Sequence, residues 1–267
     1  QGPSHGLHLS RSDTVVWSPV PGADMSGFPP GLATRAGSGC VVLGAAVGSP
    51  DFVEEYVGKR VTKIRSMVDV VCDFDDCVVQ YLLLQQCVLM PRFNYQLRVS
   101  PPVCIARAIG DFDAVLARAV RDLFGNCDLS ALDMERIGLP VSFSGFGLTF
   151  AGPLALSAYS GSVLHSRELQ GSLLGFDVNP VYQTTVLDPF NSSLHLPPDQ
   201  LISYVKITDS SKKPQELLSD VMWGVRSQEL LGRLLSPYSK AVFTACGLPG
   251  SGALLSHVPA FGSSFTN

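Results

Sequence analysis

The sequence predicts a mainly α fold with a small N-terminal β element, and three observations carry that α+β reading. Hydrophobic residues make up 46% of the 267 positions against 16% charged, enough apolar surface for a folded core. Short β-prone runs bounded by proline and glycine fill the first fifty residues. From Asp51 onward the apolar period changes from two to three or four, the spacing of an amphipathic helix.

The elements follow in order. Leu7–Ser10 and Thr14–Ser18 read as short strands, Pro19–Gly39 as turns, and Cys40–Val47 as a third strand ending at Gly48. Val53, Val57, Val61, Ile64, Val68 and Val71 then form one stripe, with Glu54, Glu55, Lys59, Arg60 and Lys63 between them. A turn at Cys72–Asp76 leads into a buried helix over Cys77–Met90, which Pro91 ends or kinks. Pro101 and Pro102 open a helix over Val103–Phe124 whose apolar face is Ile105, Ile109, Phe112, Leu116, Val120 and Leu123. Beyond Gly125 the pattern weakens. A short helix is expected at Leu154–Leu164, irregular chain at Gly171–Pro197, helices at Pro198–Tyr204 and Pro214–Leu235, and a Gly/Ser/Pro-rich tail. Three regions result: 1–50, a β segment; 51–125, a helical bundle; and 126–267, a partly helical connecting region.

Function classes narrow by exclusion. A net charge of −4 gives no global attraction to nucleic acid or anionic lipid. The most apolar window, Cys77–Met90, is too short to span a bilayer and contains Gln80, Gln85 and Gln86, so no membrane role is expected. Seven cysteines without a C-x-x-C pair read as reduced core thiols of an intracellular protein, in nucleus or cytoplasm, rather than zinc ligands. The mean hydropathy of +0.24 fits a piece that packs against something else.

Motifs for an independent enzyme are missing. There is no nucleophile elbow, no H-E-x-x-H and no phosphate loop, so no catalytic or metal residue is assigned. Asp73, Asp75 and Asp76 could group around Mg²⁺, but their place between two helices favours capping of the second. The glycines of Gly145–Gly152 read as a turn allowing close backbone packing. Arg92, Asn94, Tyr95 and Arg98 place cations, an amide and an aromatic ring on one short stretch. That mix suits phosphate contact and stacking, or a solvated helix face over Phe93.

Several of these runs, in this order, resemble the region after the catalytic palm in reverse transcriptases of non-LTR (LINE-like) retrotransposons. Gly6–Trp17 is similar to the family's motif D stretch, and Val42-Leu-Gly-Ala-Ala-Val-Gly48 to its L-G-x-P-I-G hairpin near the primer. Pro91-Arg-Phe-Asn-Tyr-Gln-Leu-Arg98 with Pro101-Pro102 and Phe112-Asp113 resembles the thumb pattern P-R-x-N-Y-x-x-R…P-P…F-D. Leu139-Pro140, Ser144–Leu148, Ala158-Tyr159 and Gly252–Pro259 are similar to the runs that follow. The resemblance implies an end-of-palm β segment, a thumb-like helical bundle and a connecting region. It implies nucleic-acid contacts at Arg92, Asn94 and Arg98 and a primer-side hairpin shaped by Gly44 and Gly48; because the bundle is neutral overall, such binding needs cations sorted onto one face, which Arg60 and Lys63 could join. The family's catalytic aspartates would lie before Gln1, so the chain is expected to be inactive alone, with no cofactor of its own. Mg²⁺ is expected only with the upstream palm and fingers, and RNA/DNA primer–template is the expected partner. Asp13, Ser10 and Ala46 stand where the family has lysine, asparagine and proline. The reversed charge at Asp13 fits a decayed or repurposed copy, a helical interaction or scaffold domain being the alternative function.

Overall fold

The computed structural model describes residues 10, 14–20, 22–24, 26–30, 32–36, 38–252 and 255. The expected strand at Leu7–Ser10, most of the motif D-like run with Asp13, and most of the run at Gly252–Pro259 lie outside the described residues. The mainly α fold with a small N-terminal β element is what the described chain forms.

β1 (Val15–Ser18) pairs in parallel with β2 (Ala33–Ala36), a strand inside the stretch expected to hold only turns. The chain between them is long enough for the crossover that parallel pairing requires. β3 (Gly39–Val42) and β4 (Ala45–Gly48) form an antiparallel hairpin in which Val42 faces Ala45. The run Cys40–Val47 therefore folds back on itself instead of making one strand. Its two-residue turn is Leu43 (φ 50°) and Gly44 (φ 83°), both in the left-handed region that tight hairpin turns demand. At the other end, a Cβ on Gly48 would lie 2.1 Å from the Ser38 carbonyl oxygen, so the hairpin base closes only with glycine.

Ser49 caps α1 (Pro50–Cys72) by accepting the Phe52 amide at 3.3 Å, and Pro50 takes the first helical turn. All six stripe residues, Val53 to Val71, are buried. Asp76 accepts the amides of Val78 and Val79 and caps α2 (Cys77–Leu83), the capping role expected of this acidic cluster. The helix expected over Cys77–Met90 is interrupted, and the cause is Pro91. In a continuous α-helix Pro91 would lack the amide owed to the Cys87 carbonyl, and its ring would strike that carbonyl. The chain instead widens into a π-helical turn at Leu84–Val88 and restarts as α3 (Met90–Val99), with Pro91 in its first turn. Arg92 Nε donates to the Cys87 carbonyl at 3.1 Å, replacing the donor that proline lacks.

A 3-10 turn at Pro102–Cys104 precedes α4 (Ala106–Leu123), which packs along α1. α5 (Ala131–Gly138) starts from a capping box between Ser130 and Asp133. α6 (Ala151–His165) is buried nearly all round and packs against α3, α4 and, later in the chain, α11 (Pro214–Arg233). The 171–197 stretch is helical rather than irregular: α7 (Arg167–Leu174), α8 (Asn179–Tyr182), a π-helical turn at Gln183–Leu187 and α9 (Asp188–Ser193). Pro180 and Pro189 sit in first helical turns. The helix expected at Pro198–Tyr204 is also corrected. Residues 198–200 form a turn closed by the Gln200 amide on the Pro197 carbonyl at 2.9 Å, Asn191 holds Ile202 by two hydrogen bonds of 2.8 and 2.9 Å, and Ser203 starts α10 (Tyr204–Asp209). α11 (Pro214–Arg233) follows, and α12 (Pro237–Cys246) occupies part of the expected tail.

One apolar cluster runs from Ala46 to Phe243. At its centre Phe93 and Phe112 stack with centroids 4.5 Å apart, both fully buried. The seven cysteines are all free, but none is a fully buried core residue: Cys77, Cys87 and Cys127 are exposed and the rest half-buried. Their apolar neighbours had suggested the interior. Cys72 and Cys104 still pack, partly buried, against the apolar cluster. Among the described residues no helix is long and apolar enough to cross a membrane.

Two helix starts are capped from elsewhere in the fold. Glu54 of α1 accepts the amides of Arg107 and Ala108 at 3.1 and 2.8 Å, at the start of α4. Asp113 of α4 accepts those of Ala151 and Gly152 at 2.6 and 3.0 Å, at the start of α6. Burial pushes the Asp113 carboxyl above its ordinary value of 3.8, outweighing the two amide bonds that lower it. The folded chain thus holds this proton more tightly than the unfolded one. The resulting stability is complete below the ordinary carboxylate value and is lost as pH rises through the raised folded value. Asp113→Asn keeps an acceptor without a titrating group. It is expected to cost about 0.5–1 kcal/mol and to flatten this segment of the pH–stability curve in urea titrations at stepped acidic pH. An unchanged slope would show that Asp113 does not set it.

Candidate nucleic-acid interface

The hairpin tip is fastened by side chains from two helices. Tyr95 Oη of α3 donates to the Leu43 carbonyl at 2.8 Å, and Gln96 Nε2 to the Gly44 carbonyl at 3.2 Å. Tyr56 Oη of α1 also donates to the Gly44 carbonyl at 3.2 Å. Arg60, four residues on, donates to Tyr56 Oη at 2.7 Å and lies over its ring at 5.2 Å. Each carbonyl of the turn is therefore occupied, and the left-handed backbone of Leu43 and Gly44 is held from below. The Leu43 side chain stays 94% exposed, so the tip projects an apolar group outward.

The helical period sorts the residues of α3. Phe93, Gln96 and Leu97 face the core. Asn94 and Arg98, four apart, share one flank beside the exposed Tyr95, whereas Arg92 falls on the other side and turns back onto the Cys87 carbonyl. Asn94 is half-buried with its Oδ1 enclosed and unpaired. Arg98 is half-buried and makes no hydrogen bond or ion pair among the described residues. Lys63, one turn beyond Arg60 on α1, is exposed and likewise unpaired. The structure thus joins Gly44 to Arg60 through Tyr56 and sets α3 beside the same tip. Gly48 acts at the hairpin base, away from these groups.

Tyr56 and Gln96 were not singled out in the sequence. The spacing of Tyr56 four residues before Arg60 was a usable signal for the first. Nothing local marks Gln96, whose partner lies 52 positions away.

Charge is sorted in the bundle as well. Between Val53 and Gly125 nine cations balance nine acids. Five of the acids have partners: Glu54, Asp76 and Asp113 as caps, Glu55 and Asp69 in exposed ion pairs with Lys59 and Arg118. Of the nine cations those two are in ion pairs, while Arg60 and Arg92 are bonded to Tyr56 Oη and the Cys87 carbonyl.

No family model matches the chain, and no curated protein or solved structure matches it either.

Proposed function

We propose that the chain is the thumb and connecting region of a retrotransposon RNA-directed DNA polymerase, holding primer–template through backbone contacts. Palm and fingers upstream in the same polyprotein supply catalysis and Mg²⁺, in nucleus or cytoplasm. One observation carries the reading. The hairpin run and the Pro91–Arg98 run, each similar to a separate run of the family, meet in space, with Tyr95 and Gln96 of one bonded to the turn carbonyls of the other. In that reading Arg98, Lys63 and Arg60 meet phosphates, Asn94 and Tyr95 meet sugar or base, and Gly44 and Gly48 shape the primer-side hairpin. Arg92 contributes through its guanidinium nitrogens beyond Nε.

A repurposed interaction domain is the second reading. It draws on exposed Leu169, Leu173, Leu174 and Phe176 at α7, an apolar group that nucleic acid has no use for.

Fluorescence anisotropy of a labelled RNA–DNA hybrid, titrated at several salt concentrations, separates the two. The polymerase reading expects affinity to fall with log salt. Arg98→Ala and Lys63→Ala should each reduce the slope by about one, and Arg92→Ala by less, since its Nε serves the protein. No binding at any salt concentration sinks it and favours the interaction domain.

A further inference from the structure

Residues 73–79, which lead from α1 into α2, are exposed without a break. Phe74 stands there among Asp73, Asp75 and Asp76, ahead of Cys77, Val78 and Val79. Phe74 is 47% exposed, Val78 57% and Val79 39%, so these side chains are left uncovered by the described residues. Helical spacing carries the apolar surface along α2. Val78 and Leu82, like Val79 and Leu83, are four apart, on the side turned away from the buried Tyr81 and Leu84. Both leucines are only half-buried. A helix that is apolar all round is normally enclosed, yet α2 meets the core on one side alone.

Charge selects what covers the other side. Between Ser66 and Pro91 the chain has four acids and no lysine or arginine. Asp69 pairs with Arg118, and Asp76 caps α2 through one carboxylate oxygen. The carboxylates of Asp73 and Asp75 are exposed, with no hydrogen bond or ion pair among the described residues. α4 adds Asp122 to the same corner. Burial first, and then the Asp122 carboxylate, push the Cys72 thiol above its ordinary value; Asp69 and Asp73 act the same way, and Arg118 opposes them. Arg65 and Arg121 are the remaining cations on these helix ends, against Asp73, Asp75, Asp76 and Asp122. Nucleic acid and anionic lipid share the sign of this corner and are repelled. A second copy would set carboxylates against carboxylates. A cationic partner with an apolar stripe meets both demands.

We propose that α2 and the turn before it dock a basic amphipathic helix of a partner protein. Its apolar stripe lies on Val78, Val79, Leu82 and Leu83, and its lysines or arginines lie beside Asp73 and Asp75. Helices bound in this way are anchored by apolar residues at helical spacing, and the flanking charge sets partner choice and orientation. The face uses none of the residues of the hairpin tip or of α7, so it stands under either reading of the function.

Three synthetic helical peptides, titrated against the full chain by fluorescence anisotropy, test the docking. One has a leucine stripe flanked by lysines, the second the same stripe flanked by glutamates, and the third the lysines with glutamine in place of leucine. The first is expected to bind saturably and about tenfold or more tighter than the second, whose charges meet their own sign. The third lacks the anchor and should also bind about tenfold or more weakly than the first. Val78→Ser combined with Val79→Ser, a change confined to exposed positions, should weaken the first peptide about tenfold. Asp73→Asn combined with Asp75→Asn should weaken it and flatten its salt dependence. The proposal is overturned if the first peptide does not bind, if either of the others matches it, or if either pair of substitutions leaves its affinity unchanged. Sedimentation velocity and flotation with phosphatidylserine vesicles address the other occupants. Self-association or vesicle binding that Val78→Ser with Val79→Ser abolishes would overturn it too, assigning the face to a second copy or to lipid.

Discussion

Replacing Phe93 by alanine is expected to lower the unfolding free energy by about 3–5 kcal/mol, the range for a fully buried aromatic ring. Phe93 lies inside the run whose neighbours are assigned to nucleic acid, so the size of this loss distinguishes a core position from a contact position. The ring is fully buried and stacks on Phe112. Its removal leaves a void between α3 and α4, bounded by α6, that rigid helices cannot collapse. Leu is expected to recover part of the loss by refilling volume, though not the stack. Urea unfolding of wild type, Phe93→Ala and Phe93→Leu provides the measurement. A loss below about 1 kcal/mol in the alanine variant, typical of surface sites, would place the ring outside the core.

Gly161→Val is expected to cost about 3 kcal/mol, the upper end of ordinary overpacking. Glycine inside a helix is normally a weakness, and replacing it gains up to about 1 kcal/mol of propensity. Here packing reverses the sign. α6 crosses α11 so closely at this point that a Cβ on Gly161 would lie 2.4 Å from the Gln215 Cα. That neighbour is backbone, which cannot swing aside. Gly110, in the middle of α4, has nothing within 4 Å of its would-be Cβ, so Gly110→Ala should stabilise by up to about 1 kcal/mol. Opposite signs at the two glycines, read from thermal or urea unfolding, are the expected outcome. Stabilisation at both would mean that α6 and α11 do not meet at Gly161.

Legibility in the sequence followed the length over which a pattern could repeat. α1 was plain because six apolar residues recur at helical spacing over 23 residues with charges between them. α8 and α9, with four and six residues, are too short for any period to declare itself, and tertiary contacts hold them. The hairpin turn was hidden for a different reason. Leu43-Gly44 lacks the Asn or Asp that usually announces such a turn, and only the glycine was a clue. In the candidate interface, Gly44 and Gly48 were picked out only through the likeness of Val42–Gly48 to the family's hairpin. Arg60, Lys63, Asn94 and Arg98 could be picked out as polar groups between apolar ones. The clamp made by Tyr56, Tyr95 and Gln96 joins distant positions, and no local pattern encodes such a bond.

The two borrowed caps share a direction. Glu54 precedes the helix it caps, and so does Asp113, whose own helix is the one Glu54 starts. A chain emerging from the ribosome from its N-terminus thus completes α1 before α4 needs an acceptor, and α4 before α6 does. Each helix start meets a carboxylate already synthesised, so the order of translation coincides with an order of assembly. A chain lacking its last third would still hold both of these contacts, whereas one lacking α1 would be without the opening step of the series.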